Sequence, residues 1–108
     1  MDAADHQALE RWLHVLSAGL RDKGPDLTAR QTAVLLSIYL TPPPHTAGRL
    51  GRELGLAKPA VTRALDVLEQ LEFVRRLPNA EDGRSRLLQR TVKGSVYLDS
   101  FAARVRAT

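Results

Sequence analysis

Two short helical patterns lie in the middle of the chain, joined by only three residues, Gly55-Leu56-Ala57. Thr46 is placed to cap the first pattern, in which Leu50 and Leu54 lie one turn apart. The second pattern starts near Lys58, and its apolar face comprises Val61, Ala64, Leu65, Leu68 and Leu71. Two short helices joined by a glycine turn, the second with a polar outer face, predict a helix-turn-helix.

The period of the apolar residues changes directly after this motif. Residues 73–77 have the pattern of a strand, and residues 78–83 are dense in turn formers. Residues 84–90 have the pattern of a returning strand. The three segments together predict a β-hairpin.

Three further helical patterns complete the chain. The first runs from about Asp5 to Arg21. The second begins at a Thr28 capping box, and its apolar run to Leu40 predicts a helix that is central to the core. The third begins after Thr91, which is placed to cap it. We therefore expect about five helices.

Positive charge is concentrated in the C-terminal half of the sequence. The formal net charge of the 108 residues is +4. Residues 1–48 carry four Lys and Arg against five Asp and Glu, whereas residues 49–108 carry twelve against seven. Thirteen of the sixteen cationic residues are Arg, whose planar fork suits bidentate contact with phosphate or a guanine edge. This distribution is typical of a nucleic-acid-binding surface; a merely solubilising surface is the alternative.

The sequence gives no support to several other classes of function. Cysteine is absent, which excludes a disulfide framework, a thiol nucleophile and a thiolate zinc site. The longest apolar stretch is about half as long as a membrane span requires, and no secretory signal is visible. We interpret His6, His14 and His45 as surface residues, because a metal site needs three or four converging ligands. We therefore expect a cytoplasmic protein without membrane contact that is not an enzyme and has no metal or cofactor.

Residues 54–69 resemble the recognition segment of MarR-type winged helix-turn-helix transcription regulators. The predicted hairpin adds Val74-Arg75-Arg76, Glu81-Asp82-Gly83-Arg84-Ser85 and Thr91-Val92-Lys93-Gly94, in the family's order and spacing. Leu27-Thr28-Ala29-Arg30-Gln31 resembles the opening of the family's second helix. The resemblance covers residues 27–98. It implies a mainly α fold with a small β-hairpin wing, a winged helix-turn-helix of about five helices.

The chain departs from the family pattern at four places. Family members usually end in one more helix, which forms a dimer with the first and fifth helices. Glu72 replaces a glycine and costs about 1 kcal/mol if its backbone is left-handed. Ala57 replaces a polar helix cap, and Arg90 replaces a leucine. We expect one domain over 1–108, with a DNA-binding core at 27–91 and with 1–24 and 92–108 forming helices for packing or dimerisation.

The resemblance implies that helix 58–71 enters the major groove of DNA and that wing 74–90 lies at the minor groove. Arg63 is the candidate for base reading, because its fork matches guanine O6 and N7; the alternative is an exposed ion pair with Asp66. The expected DNA-contacting residues are Arg49, Arg52, Lys58, Thr62, Arg63, Arg75, Arg84, Ser85 and Arg86.

Asp82 lies two residues before Arg84, the arginine expected at the minor groove. We expect Asp82 to brace Arg84 or a nearby arginine, or else to hold the turn by an Asx-type hydrogen bond. Arg76 and Arg90 could equally be ordinary exposed strand residues.

Apolar residues of the first and last helices need a covering surface. Packing in the core is one interpretation, and a dimer interface, as the family implies, or contact with another protein is the other. These residues are Leu9, Trp12, Leu13, Leu16, Leu98 and Phe101.

We therefore expect a sequence-specific regulator of transcription that binds double-stranded DNA, a repressor that reads an inverted repeat as a homodimer. The alternative is a winged-helix module that binds a protein partner and has only non-specific affinity for DNA. The resemblance also implies an unidentified small-molecule effector, bound between the first, second and last helices.

Overall fold

The computed structural model describes residues 1–107, which contain five α-helices and one two-stranded antiparallel sheet. The helices are α1 (Ala3–Arg21), α2 (Ala29–Leu40), α3 (Ala47–Leu54), α4 (Lys58–Gln70) and α5 (Val92–Arg106); the strands are β1 (Val74–Pro78) and β2 (Arg86–Arg90). This order of elements confirms the predicted fold class. None of the described helices is long and apolar enough to cross a membrane.

The chain divides into two compact units. The first, Leu27–Ser95, holds α2, α3, α4, the hairpin and the first turn of α5, and we call it the winged-helix unit. The second comprises Met1–Asp26 and the chain from Val96 onward, and we call it the terminal unit.

The core of the winged-helix unit forms where α2 packs on α3 and α4. Thr28 starts α2 with the predicted capping box: its hydroxyl accepts from the Gln31 amide, and the Gln31 side chain accepts from the Thr28 amide. The fully buried side chains of α2 are Val34, Leu35 and Ile38. The apolar run of this helix is not buried throughout, since its last residue, Leu40, is 75% exposed at the C-terminal end of α2.

A tight turn joins α3 to α4, as predicted. Gly55 ends α3 with a φ of 68°, a left-handed conformation that glycine adopts without steric cost. The Leu56 amide then donates to the Gly51 carbonyl at 2.9 Å. Ala57 gives α4 no side-chain cap. The start of this helix therefore lacks the protein hydrogen bond that a serine or aspartate would supply.

The Tyr39 hydroxyl joins α2 to the segments on either side of the hairpin. It donates to the Phe73 carbonyl at 2.7 Å and accepts from the Thr91 amide at 2.9 Å. Gly94 lies against this hydroxyl, and a Cβ at position 94 would overlap both the Tyr39 and the Phe73 oxygens. Close packing therefore requires glycine here.

Glu72 has a φ of 65°, so its backbone is left-handed, as its place in the family pattern suggested. The Thr91 hydroxyl donates to the Glu72 carbonyl at 2.8 Å and accepts from the Gly94 amide at 2.9 Å. These bonds hold the strained residue at the junction of α4, β1 and α5.

The hairpin pairs Val74 with Arg90 and Pro78 with Arg86. The second strand begins two residues later than predicted, because residues 84 and 85 belong to the turn. The Ser85 amide donates to the Asp82 carbonyl, and the Asn79 side chain donates to the Ser85 hydroxyl at 3.0 Å.

The interpretation of His45 as a surface residue is wrong, since its side chain is buried and only 2% exposed. Its Nε2 lies 3.2 Å from the Thr41 carbonyl, and its own carbonyl accepts from the Leu88 amide of β2 at 3.0 Å. The pairing of this loop with β2 accounts for the burial. His6 and His14 are exposed, as expected.

Arg90 is not an ordinary strand residue, although it sits at the end of β2. Its guanidinium donates to the carbonyls of Ile38 and Thr41, both at 2.9 Å, and lies over the Tyr39 ring. Arg90 therefore satisfies carbonyl groups at the C-terminal end of α2.

The terminal unit has little buried surface of its own in the described part of the chain. Val15 is the buried residue of α1. Arg104 of α5 pairs with Asp22 at 3.5 Å and lies over the Phe101 ring. Five large apolar side chains of α1 are more than half exposed: Leu9, Trp12, Leu13, Leu16 and Leu20.

Candidate nucleic-acid interface

The outer face of α4 carries polar side chains that the sequence predicts to meet DNA. Lys58, Thr62 and Arg63 are exposed, whereas the opposite face of the helix is buried. The Arg63 guanidinium makes no hydrogen bond or ion pair with any residue of the described chain. Asp66 binds Arg76 instead, at 2.8 Å. The structure therefore does not contain the Arg63–Asp66 ion pair that was the alternative interpretation.

A groove of about 160 Å³ lies between α4 and the wing, and we call it the helix–wing groove. Lys58 and Thr62 line it from α4, and Arg84, Ser85 and Arg86 line it from the hairpin. Arg76 of β1 also contributes to the lining. The fold thus brings five of the nine predicted DNA-contacting residues to one concave surface.

Asp82 holds the wing turn through the backbone rather than through an arginine side chain. Its Oδ1 accepts from the Arg84 amide at 3.0 Å, which is the Asx-type bond considered from the sequence. The Arg84 side chain is left exposed, without an ion pair to any residue in 1–107. Asp82 therefore orients the Arg84 backbone and leaves its guanidinium available.

The other predicted contacts lie outside the groove. Arg49 donates to Glu53 at 2.8 Å and to the Pro44 carbonyl at 2.7 Å, so much of its donor capacity is used within the loop and α3. Arg52 of α3 and Arg75 of β1 are exposed and have no ion pair within the described residues. Arg63 follows Thr62 on α4 but does not line the groove.

Ion pairing makes the electrostatics of this surface uneven. The winged-helix unit carries eleven Lys and Arg against six Asp and Glu. Arg49, Arg76 and Lys93 pair with four of the carboxylates: Glu53, Asp66, Glu69 and Glu72. The cations of α4 and of the wing turn have no such partner in the part of the chain described. Like Arg52 and Arg75, they are therefore available to an external anion.

Sequence reasoning missed Arg76 as part of this surface. Its side chain is 23% exposed and reaches both Asp66 and Glu69 of α4. The sequence shows only that Asp66 and Glu69 share one face of α4. That Arg76 of β1 reaches both carboxylates becomes visible only in the folded chain.

The terminal unit also contains a concave surface, of about 590 Å³. Trp12 of α1 and Phe101 of α5, two of the predicted interface residues, both line it, with Arg11 beside them. The described residues include no cluster of three or more His, Asp and Glu side chains able to hold a metal ion.

A helix-turn-helix followed by a hairpin wing, with unpaired cations on the second helix and at the wing turn, defines a winged-helix DNA-binding regulator of transcription. Residues 26–85 match the MarR family, and the chain belongs to this family. Its members are transcription regulators rather than enzymes.

Solved structures of similar proteins agree with this assignment. A mutant of MarR from E. coli is 32% identical, with 93% of this chain and 69% of that one covered and a TM-score of 0.73. The transcriptional regulator Tm0710 from Thermotoga maritima is 30% identical, with 95% and 72% covered and a TM-score of 0.72. The transcriptional repressor CouR, bound to a 23-mer DNA duplex, is 27% identical, with 95% and 68% covered and a TM-score of 0.73.

Proposed function

We propose that this protein is a sequence-specific repressor that binds an inverted repeat in double-stranded DNA as a homodimer. The observation that carries the proposal is the helix–wing groove, where unpaired cations of α4 and the wing turn face one concave surface. The structure of the similar repressor CouR bound to a DNA duplex also supports a role in binding double-stranded DNA.

In this proposal α4 enters the major groove, which is wide enough for one helix. Arg63 reads a guanine edge, and Thr62 contacts a thymine methyl or a phosphate. Lys58, Arg49 and Arg52 bind phosphates on the same side.

The wing lies beside the adjacent minor groove. Arg84 enters it, and a narrow A·T-rich groove attracts such a side chain through its enhanced negative potential. Ser85, Arg86 and Arg75 bind the flanking backbone. Asp82 contributes by holding the Arg84 backbone in the turn.

The homodimer forms through the terminal helices in this proposal. The exposed apolar residues of α1 are the argument, because contiguous apolar surface of this kind is usually covered by a partner. Two recognition helices related by a two-fold axis read half-sites about one helical turn apart. A cytoplasmic location and a small-molecule effector stay predictions.

Selection of bound duplexes from a random pool, at about 150 mM salt, tests the proposal, since purely electrostatic binding is already weakened there. The expected result is an enriched inverted repeat. An enriched single half-site contradicts the homodimer but keeps specific DNA recognition. No enrichment contradicts the proposal and favours the winged-helix module that binds a protein partner.

A further inference from the structure

Arg76 connects the wing to the recognition helix through four hydrogen bonds or ion pairs. Its backbone amide donates to Glu69 Oε2 at 3.0 Å, and its Nη1 lies 3.3 Å from Glu69 Oε1. Its Nη2 lies 2.8 Å from Asp66 Oδ1 and 3.2 Å from the Thr62 carbonyl oxygen. One residue of β1 thus holds two turns of α4.

The partners of Arg76 lie next to the residues proposed to read DNA. Thr62, whose carbonyl accepts from Nη2, lines the helix–wing groove and directly precedes Arg63. On the other side, Arg76 is in the strand that leads to the wing turn and Arg84. The clamp formed by Arg76 therefore lies between the proposed major-groove and minor-groove contacts.

A direct contact between Arg76 and DNA is the less favoured role. Both terminal nitrogens of its guanidinium already have partners, and the side chain is 23% exposed. Arg75, its neighbour on the strand, is exposed, and its side chain has no hydrogen bond or ion pair within residues 1–107, so it is the better phosphate ligand of the two.

Release of Arg63 from Asp66 is a second effect of the clamp, but a small one. An exposed ion pair three residues apart on a helix changes an equilibrium by no more than about twofold. The effect of the clamp on geometry is larger. When the wing is held rigidly against α4, both DNA contacts form for one loss of conformational entropy, whereas a loosely linked wing loses further entropy when its own contact forms.

We propose that Arg76 is a positioning residue for DNA recognition, which fixes the wing against α4 so that Arg63 and Arg84 engage adjacent grooves together. This inference rests on the proposed function. It predicts that loss of the clamp uncouples the reading of the minor groove from the reading of the major groove.

The first test repeats the random-pool selection with Arg76→Gln and with Arg75→Gln, which removes the same charge from the neighbouring position. We expect Arg76→Gln to keep the base preference at the positions read by α4 and to lose the A·T preference at the flanking positions. Arg75→Gln should keep both preferences and lower the affinity for all duplexes equally. A uniform loss with Arg76→Gln, with the preference pattern unchanged, overturns the inference.

The salt dependence of binding separates positioning from direct contact. Log K falls as log salt rises, and the removal of one phosphate contact reduces the steepness of this fall by about 0.9. Arg75→Gln should show this change. Arg76→Gln should leave the slope of binding to a duplex of scrambled sequence unchanged, and a reduction by about 0.9 there shows that Arg76 itself contacts phosphate.

A third measurement needs no DNA. The described chain contains no cysteine, so spin labels attached through Gln70→Cys on α4 and Gln89→Cys on β2 would occupy two defined, exposed positions. The distance distribution between the labels should be narrow with Arg76 present and at least twofold broader with Arg76→Gln. Equal widths overturn the clamp itself, whatever the DNA results show.

The two proposals fail in different ways. If the unaltered protein enriches no sequence while the label distances broaden in Arg76→Gln, the clamp stands but its role in DNA recognition falls with the proposed function. If Arg76→Gln does not fold, as judged by thermal unfolding, Arg76→Lys takes its place. Lysine keeps one charge but cannot form the forked contact, so the label distribution should again broaden.

Discussion

Arg63, Arg76 and Arg90 are the same residue type within one small unit, and their surroundings give them three different roles. Arg90 binds carbonyl groups at the end of α2, and Arg76 binds carboxylates of α4. Arg63 has no protein partner in the part of the chain described. The planar fork of arginine matches each of these acceptors, so the role of each side chain depends on which acceptors the fold places beside it.

Arg63→Ala should weaken binding to the selected duplex by about 1–3 kcal/mol per site and relax the base preference at one position. The physical reason is the loss of a bidentate contact to a base edge. Titration of the selected duplex and of a scrambled duplex measures both effects.

Arg30→Ala is the matched control, because Arg30 is exposed on α2 and outside the proposed interface. It removes the same charge and should change the affinities for both duplexes equally and slightly. If Arg63→Ala binds the selected duplex as tightly as the unaltered protein does, base reading by Arg63 is wrong.

His45 makes the stability of the winged-helix unit depend on pH. Burial lowers the pKa of this imidazole, and the positive charges of Arg90 and Arg49 lower it further. The Thr41 carbonyl and Glu53 act in the opposite direction without reversing the shift. The unfolded chain, with an ordinary value of 6.5, therefore takes up this proton at a higher pH than the folded chain does.

The sign of the effect follows from this difference. Stability from neutral His45 is fully present above the unfolded pKa of 6.5 and is lost as the pH falls below it towards the folded pKa. Urea unfolding measures the free energy of unfolding at about pH 7.5 and at about pH 5.5. The decrease in this free energy between the two pH values should be larger for the unaltered protein than for His45→Gln. His14→Gln, at an exposed position, should keep the full loss, and an equal loss with His45→Gln contradicts the prediction.

At the scale of the element, the junction between α4 and β1 carries a cost that the sequence already indicated. Glu72 occupies a left-handed conformation in which a Cβ is unfavourable. Its ion pair with Lys93, at 3.6 Å between two largely exposed side chains, contributes little in return.

Glu72→Gly should therefore raise the free energy of unfolding by about 1 kcal/mol. Glu72→Gln keeps the strained Cβ and removes only the charge, so its stability should stay close to that of the unaltered protein. Denaturant unfolding of both variants measures this difference. If Glu72→Gln raised the free energy of unfolding as much as Glu72→Gly does, the charge of Glu72 and not its backbone conformation would be the source of the destabilisation.

The elements were predictable from sequence because each depends on local signals. The Thr28 capping box, the left-handed Gly55 and the change from helical to strand period all act within a few residues. The roles of Arg76 and His45 were not, because each depends on contacts between segments that meet only in the fold. The seven-residue spacing from Glu69 to Arg76 and the pairing of Leu88 with the His45 carbonyl have no local signature.

The candidate site was predictable to a similar extent. Residue type and helical spacing place Lys58, Thr62 and Arg63 on the outer face of α4, and the structure agrees. Neither signal reveals which cations are already engaged. Arg49 was expected to be available, and its bonds to Glu53 and the Pro44 carbonyl became visible only in three dimensions.

At the scale of the whole molecule, the exposed face of α1 bears on the proposed homodimer. Leu13→Glu places a charge on this face and should shift the protein from dimer to monomer, because it exchanges about 1.5–3 kcal/mol of apolar burial per subunit for a buried charge. Sedimentation analysis measures the change. The affinity for an inverted repeat should fall more than the affinity for a single half-site.

Leu40→Glu is the control for this experiment. Leu40 is at least as exposed as Leu13 but lies in the winged-helix unit, outside the proposed interface. It should leave the sedimentation behaviour unchanged. A dimer that survives Leu13→Glu shows that another surface holds the two copies together.

Trp12 is the only tryptophan of the chain, and 62% of it is open to solvent on α1. An indole in water emits at longer wavelength than one surrounded by apolar groups. The unlabelled protein therefore carries its own optical signal for whether the face of α1 is wet or covered. A blue shift of the emission on raising the protein concentration would follow association directly, and the same spectrum recorded with DNA present would show whether that face changes when the groove is occupied.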